Sequence, residues 1–157
     1  NAYGYHAAPD DCYLAARGLR TLSVRLERHQ RNALKVVRWL QSRDEIERVM
    51  YPALEDDPGH LVWKRDFSGA SGLFGVVFKE GFSYKSFAVM INSLDLFPIG
   101  ASWGGYESLL LPSYPGKVRT AVPWPFKGYT IRLHIGLENP DDLIADLEKG
   151  FRHLMSC

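Results

Sequence analysis

The chain has 157 residues, of which 46% are hydrophobic, 13% aromatic and 24% charged. This composition excludes a disordered chain, a collagen-like chain and a disulfide-rich scaffold, and the length is typical of one domain. The 19 basic and 18 acidic residues give a formal net charge of +1. Without a broad positive field, neither nucleic acid nor an anionic membrane is indicated as a partner.

The cysteines indicate a reducing compartment. Cys12 and Cys157 form no C-x-x-C motif, so a zinc site has no support, and two free thiols fit the cytoplasm. No apolar run reaches the roughly 18 residues of a membrane span, and no signal peptide is evident. Because the chain begins with Asn1 rather than Met, we expect it to be a piece of something longer.

Residues 9–42 are predicted to form one long helix, bent near Gly18. Pro9 suits a first helical position, and Asp10 and Asp11 suit the positive helix start. Three- and four-residue spacing predicts one buried stripe, in which His29 is a core or interface residue rather than a ligand. The stripe comprises Leu19, Leu22, Leu26, His29, Ala33, Val36 and Leu40. The helix length favours residues 1–45 as a helical connector between two parts of a larger protein.

Residues 46–157 show short alternating elements and are predicted to form a small α+β domain. We expect strands at 46–51 and 73–78, a weak strand at 94–97 and a short helix at 60–67. Ser83 is expected to cap a helix that turns four residues inward. These four are Tyr84, Phe87, Ala88 and Ile91.

The end of the chain gives the clearest pattern. Strict alternation over 131–137 predicts a strand with Ile131, Leu133, Ile135 and Leu137 on one face, and Arg132 and His134 on the other. Asn139 then caps a helix whose apolar stripe is Leu143, Leu147, Phe151 and Leu154. The whole predicts a largely antiparallel sheet with helices packed on one face.

Two glycine motifs have alternative interpretations. Gly100–Gly104 matches G-x-S-x-G, in which Ser102 would be the nucleophile of a hydrolase with Glu138, Asp141 or His153 as nominal partners. The following segment is too short for the helix that this motif requires, so the match is weak. The glycines at 69, 72 and 75 lack phosphate-loop spacing and favour tight backbone packing at a strand entry.

Arg132 lies in the middle of a predicted strand between apolar neighbours. One interpretation is an exposed arginine on an edge strand. The other is a clamp for a carboxylate or a phosphate, because the guanidinium group offers a two-pronged fork on a rigid element. The pattern alone leaves both open.

Several longer strings resemble the bacterial cystathionine β-lyases of the Cys/Met-metabolism family of pyridoxal-phosphate enzymes. They are RGLRTL at 17–22, HLVWKRDF at 60–67, SGLF at 71–74, SWGGYESL at 102–109 and IRLHIGLE at 131–138. The resemblance covers nearly the whole chain and the C-terminal part of that family. It implies the C-terminal domain of a fold-type-I pyridoxal-phosphate enzyme.

The resemblance implies a β-elimination that converts cystathionine to homocysteine, pyruvate and ammonia in methionine biosynthesis. Arg132 would hold the substrate α-carboxylate, and Ser102 and Trp103 would line the same pocket and help to hold Arg132. None of the seven lysines lies in a segment like that of the family's cofactor lysine, so the isolated chain is expected to be inactive. The rest of the enzyme would bind most of the pyridoxal phosphate, and full-length members would form homotetramers.

Three alternatives stay open. A cystathionine γ-synthase or γ-lyase belongs to the same family, although Trp103 favours the β-lyase branch. A non-catalytic α+β binding module is consistent with the lack of the lysine segment. A serine hydrolase has the least support. No metal site is expected, since no pair of the five histidines has a convincing ligand spacing.

Overall fold

The computed structural model describes Gly4 and residues 6–156. Asn1 and Cys157 therefore lie outside the described residues, while Cys12 is a free, exposed thiol. Two helices, α1 (Pro9–Leu19) and α2 (Leu22–Gln41), replace the single bent helix predicted over 9–42. The backbone leaves helical geometry at Thr21, where φ is −112° and ψ is 8°. The Gly18 carbonyl there accepts a 2.7 Å hydrogen bond from the Arg25 guanidinium.

The predicted stripe of the long helix is buried only in its second half. His29, Ala33, Val36 and Leu40 are buried, whereas Leu19 and Leu26 are 68% and 42% exposed. Helix α1 contributes no buried residue at all. The periodicity is therefore continuous along the sequence, but its residues are buried only from His29 onward.

Four strands form one antiparallel sheet in the order β1-β2-β4-β3. They are β1 (Ile46–Met50), β2 (Leu73–Phe78), β3 (Leu109–Ser113) and β4 (Thr130–His134). Strand β3 was not predicted, because its leucine run lacks alternation and Pro112 argues against a strand. Its position at the sheet edge explains why proline is tolerated.

Helices cover one face of this sheet, as predicted. Helix α4 (Tyr84–Asn92) packs on α6 (Pro140–Met155), and α6 packs on α2. Phe151 of α6 lies against Phe78 of β2, with 5.6 Å between ring centroids. The short helices α3 (His60–Asp66) and α5 (Pro115–Val118) contribute no buried residues.

Both predicted caps are present, but two local expectations are wrong. The Ser83 hydroxyl accepts from the Ser86 N–H, and Asn139 Oδ1 accepts from the Asp141 N–H. Tyr84 is 71% exposed rather than inward. Residues 94–97 form no strand: the buried Asp146 carboxylate takes the N–H groups of Asp95 and Leu96, so this backbone bonds to a side chain.

No helix among the described residues is both long and apolar enough to cross a membrane.

Candidate functional site

Arg132 lies on an interior strand. Its neighbours across β4 are Gly75 of β2 and Leu111 of β3, so the edge-strand interpretation is wrong. Ile131 and Leu133 on either side of it are buried in the core under the helices. Alternation then directs the Arg132 side chain to the opposite face of the sheet, where it is half-buried.

Two backbone carbonyls orient the Arg132 guanidinium. Its Nη2 donates to the carbonyl oxygens of Ala101 at 2.6 Å and Ser102 at 3.2 Å. A guanidinium has five N–H donors, so three remain on Nη1 and Nε for another acceptor. This geometry supports a fixed cation that offers its free edge to an anion.

Of Ser102 and Trp103, both expected at this guanidinium, only Ser102 hydrogen-bonds to it in the described structure. Ser102 contacts it through the main chain, and the carbonyl of the preceding Ala101, which no sequence pattern suggested, makes the shorter bond. The Trp103 side chain is 60% exposed and makes no hydrogen bond to Arg132 in the described structure. Its indole is thus free to contact a ligand.

His134 shares the outer face of β4 with Arg132 and is 2% exposed. Its Nε2 lies 3.1 Å from the Gly105 carbonyl oxygen and 3.2 Å from the Gly104 nitrogen, which is also 3.5 Å from Nδ1, and the tautomer decides whether Nε2 donates to Gly105 or accepts from Gly104. Burial lowers the pKa of His134 below its ordinary value, and the nearby His29 and Arg132 act in the same direction. The ring is therefore a neutral anchor for the loop that precedes β3.

A third set of contacts, between Glu138 just after β4 and Ser108 just before β3, also joins these two segments. The Glu138 carboxylate accepts the Ser108 N–H at 2.6 Å and the Ser108 hydroxyl at 2.9 Å. The same hydroxyl oxygen accepts the Gly136 N–H at 2.8 Å. Ser108 is fully buried. Both residues lie within the strings that carry the family resemblance, but no local pattern predicts their contact with each other.

The hydrolase interpretation of Gly100–Gly104 gains no support. No helix follows this segment, and no hydrogen bond joins the Ser102 hydroxyl to a described histidine or carboxylate. Glu138 binds Ser108 instead, and Asp141 pairs with Lys35 at 2.6 Å. His153 is exposed on α6.

Of the three glycines near β2, only Gly72 packs tightly on backbone as predicted, whereas Gly69 lies against the Gln30 side chain and Gly75 against the Met50 side chain. A Cβ atom at Gly72 would collide with the carbonyl oxygen of Ile135. Among the described residues, no group of three or more histidine, cysteine, aspartate and glutamate side chains could hold a metal ion.

Comparison with known proteins identifies the family. Residues 1–152 match the model of the Cys/Met metabolism PLP-dependent enzymes. The chain belongs to this family. It is 46% identical over 160 residues to the cystathionine beta-lyase of Escherichia coli, covering 99% of the chain and 40% of that protein. It is 38% identical over 159 residues to the cystathionine gamma-lyase of Mus musculus, covering 97% of the chain and 39% of that protein.

A solved structure confirms the fold assignment. The chain superposes with a TM-score of 0.79 and 36% identity on a Campylobacter jejuni protein described as an O-acetylhomoserine (thiol)-lyase. The match covers 96% of this chain and 34% of that one, in which a lysine carries the pyridoxyl phosphate group. The chain thus spans about 40% of the length of the curated relatives it matches. Pyridoxal phosphate is the cofactor of the family.

The described residues fit the substrate end of such a site rather than the cofactor end. Arg132 suits a carboxylate, as argued above. Four of the seven lysines contact other groups away from Arg132: Lys35 pairs with Asp141, Lys127 with Glu80 and Lys149 with Asp95, and Lys117 lies over the Tyr114 ring. None of these four lysines therefore supplies an unpaired amine beside Arg132 in the described structure.

Proposed function

We propose that this chain is the substrate-carboxylate-binding part of a pyridoxal-phosphate-dependent cystathionine β-lyase. The observation that carries the proposal is the Arg132 guanidinium, held by two backbone carbonyls on an interior strand with three donors free. Membership of the Cys/Met metabolism family supports an amino-acid substrate. Such substrates carry the α-carboxylate that a guanidinium recognises.

Arg132 binds and orients the substrate through a charge-assisted pair. The strand backbone fixes the direction of the side chain, and the Ala101 and Ser102 carbonyls fix the plane of the guanidinium. We assign the exposed Trp103 indole to the same substrate site, as the resemblance implies. A carboxylate held at two points places Cα in one orientation relative to the cofactor, which is the alignment that elimination requires.

Pyridoxal phosphate, when bound, supplies the electron sink that makes loss of the Cα proton feasible. We assign the residues that bind it to the part of the complete enzyme that corresponds to the unmatched length of the relatives. In the overall reaction the Cα proton is lost and the Cβ–S bond breaks, with homocysteine as the leaving group. The remaining three-carbon unit takes up water to give pyruvate and ammonia.

A γ-lyase is the second candidate, because the mouse relative of that name matches 97% of the chain. Arg132 would hold the same carboxylate in either case. The two reactions differ in the bond that breaks, so their products separate them: β-elimination gives pyruvate, whereas γ-elimination gives a four-carbon 2-oxo acid.

The remaining part of the enzyme is the proposed partner of the exposed apolar surface on α1 and the start of α2. Tyr13, Leu14 and Val24 are 68%, 59% and 68% exposed there. Residues 1–45 would connect the α+β part, residues 46–157, to the cofactor-binding part. The complete enzyme would be a cytoplasmic homotetramer.

A chimera tests this function. The chain replaces the matching 40% of the Escherichia coli cystathionine beta-lyase, and the purified protein is loaded with pyridoxal phosphate and given cystathionine. We expect equal amounts of pyruvate and homocysteine. A four-carbon 2-oxo acid would instead favour the γ-lyase, and a folded, loaded protein that releases neither acid would favour a non-catalytic module.

The isolated chain is the matched control. After incubation with pyridoxal phosphate and borohydride reduction, we expect its intact mass to be unchanged and no 2-oxo acid to form. Stoichiometric modification of one lysine together with turnover would show that the chain holds the cofactor by itself.

A further inference from the structure

The loop at residues 101–108 has no helix or strand of its own, although it holds the carbonyls that orient Arg132. In the described structure, the backbone N–H and carbonyl groups of this loop form hydrogen bonds outside the strand ladders only with residues between 132 and 138. Its shape is therefore set by contacts with β4 and the segment after it, rather than by its own local structure.

These contacts follow the loop in sequence order. Arg132 binds the start of the loop, and His134 binds Gly104 and Gly105 in the middle. The Leu137 N–H donates to the Tyr106 carbonyl at 2.8 Å. Glu138 binds Ser108 at the end.

The Glu138 contact is charge-assisted and takes two donors of a single loop residue. A carboxylate that accepts two hydrogen bonds from one residue fixes both the position and the orientation of that residue. Ser108 is fully buried, so no water is available to replace a lost acceptor at its amide or its hydroxyl.

The segment that carries Glu138 is itself held in place. The Asn32 side chain of α2 donates to the carbonyls of Gly136 at 3.1 Å and Glu138 at 2.9 Å. A Cβ atom at residue 136 would collide with the Tyr106 carbonyl oxygen, so glycine permits the close approach of loop and segment. Glu138 thus projects from a fixed backbone into the loop.

We propose that Glu138 is a positioning residue for Arg132: by holding Ser108 it fixes loop 101–108, and thereby the Ala101 and Ser102 carbonyls that orient the guanidinium. Its effect on the loop does not depend on the proposed function. Its effect on substrate binding rests on the proposed function.

Hydrogen exchange of the 157-residue chain tests the structural step. The probe is the Gly104 amide in a peptide covering residues 101–105, because its N–H contacts His134 and Glu138 does not touch it; the reference is a peptide of strand β2. In Glu138→Ala we expect this amide to exchange about 10-fold faster or more, with little change in the reference. Glu138→Gln keeps the shape and one acceptor, so we expect a smaller increase.

Glu148→Gln is the matched control, because Glu148 is exposed on α6. This variant makes the same glutamate-to-glutamine change away from the loop. It should leave both peptides unchanged. If Glu138→Ala and Glu138→Gln leave the loop peptide unchanged, or speed loop and β2 peptides equally, Glu138 does not position the loop.

The catalytic step is tested in the active chimera. We expect Glu138→Ala to lower kcat/KM about 10- to 100-fold, mainly through a higher KM, since the carboxylate is bound in both ground and transition state. Combined with Arg132→Lys, its effect should be much less than the product of the two single effects, because Glu138 acts through Arg132. Multiplicative effects would overturn the proposal.

The two proposals fail in different ways. If the unmodified chimera binds cofactor but does not cleave cystathionine, the proposed function fails and the hydrogen-exchange result alone decides the role of Glu138. If the chimera is active but the variants show multiplicative effects, the proposed function stands and this inference fails.

Discussion

The two faces of β4 use alternate residues of one strand and are filled in different ways. On the helix side, Ile131 and Leu133 are at most 1% exposed and pack among apolar side chains from α2, α4 and α6. On the other side, Arg132 and His134 make hydrogen bonds to the backbone of loop 101–108. One face is held by apolar packing, and the other by polar contacts to particular atoms.

This difference separates stability from recognition. Apolar packing depends on volume and area, so its loss lowers the free energy of unfolding. The polar contacts instead determine where a charged group points, which matters for ligand binding more than for the core. Substitutions on the two faces should therefore produce effects on different measured quantities.

The largest expected effect on stability is at the inner face. Leu133→Ala removes a fully buried side chain and should lower the free energy of unfolding by about 2–5 kcal/mol in urea denaturation. Arg132→Ala, one position away, should lower it by less than about 1 kcal/mol. Equal losses for the two variants would show that the faces do not differ in this way.

On the outer face, Arg132→Lys should affect activity and leave the melting temperature nearly unchanged. Lysine keeps the charge but loses the two-pronged geometry and the planar contact with the two carbonyls. We expect kcat/KM of the chimera for cystathionine to fall about 10²–10³-fold in steady-state kinetics. Activity near that of the unmodified chimera would exclude Arg132 as the carboxylate clamp.

The contrast between the faces also shows what the sequence could reveal. The first half of the predicted 131–137 strand, the Asn139 cap and the buried stripe of α6 are confirmed, because alternation and capping are local signals. Strand β4 nevertheless ends at His134, so the prediction that it extends to Leu137 is wrong. The same alternation identified Arg132 as a polar residue between apolar neighbours on a strand. Strand β3 was missed, because Pro112 is acceptable only at the sheet edge, which no local pattern reveals.

The contacts that hold the loop could not be predicted either. Glu138 and Ser108 are 30 residues apart in sequence. The Ala101 contact is made by a backbone carbonyl, which no pattern of side chains predicts. Likewise, helical periodicity predicted a buried Leu19 and Leu26, but burial depends on whether another surface covers them. Elements and residues with a local pattern can be predicted from the sequence, whereas the distant residues that contact them are known only from the folded structure.

Asn32 links the helix side to the loop side, and its removal should have an intermediate effect. Asn32→Ala leaves the buried carbonyls of Gly136 and Glu138 without this donor, so the free energy of unfolding should fall by about 1–3 kcal/mol. Asn92→Ala is the matched control, because Asn92 is exposed at the end of α4. Indistinguishable urea midpoints for these two variants would contradict a stabilising role for the Asn32 contacts.

The smallest expected effect is a pH dependence at His134. Because the pKa of this ring is lowered in the folded protein, the unfolded chain takes up the proton first as the pH falls through about 6.5. Protonation would make both ring nitrogens N–H donors, so the Gly104 N–H would lose its acceptor. The positive charge would also lie near His29 and Arg132, with the Gly105 carbonyl and Glu138 as favourable contacts. The free energy of unfolding should therefore decrease from pH 7.5 to 5.5, a range of about one unit on either side of the ordinary pKa.

His134→Gln should have a shallower slope over this range in urea titrations, even if it is less stable throughout. His153→Gln, at an exposed position on α6, should keep the slope of the unmodified chain. Equal slopes for the unmodified chain and His134→Gln would show that the outer face of β4 is insensitive to the charge on this ring.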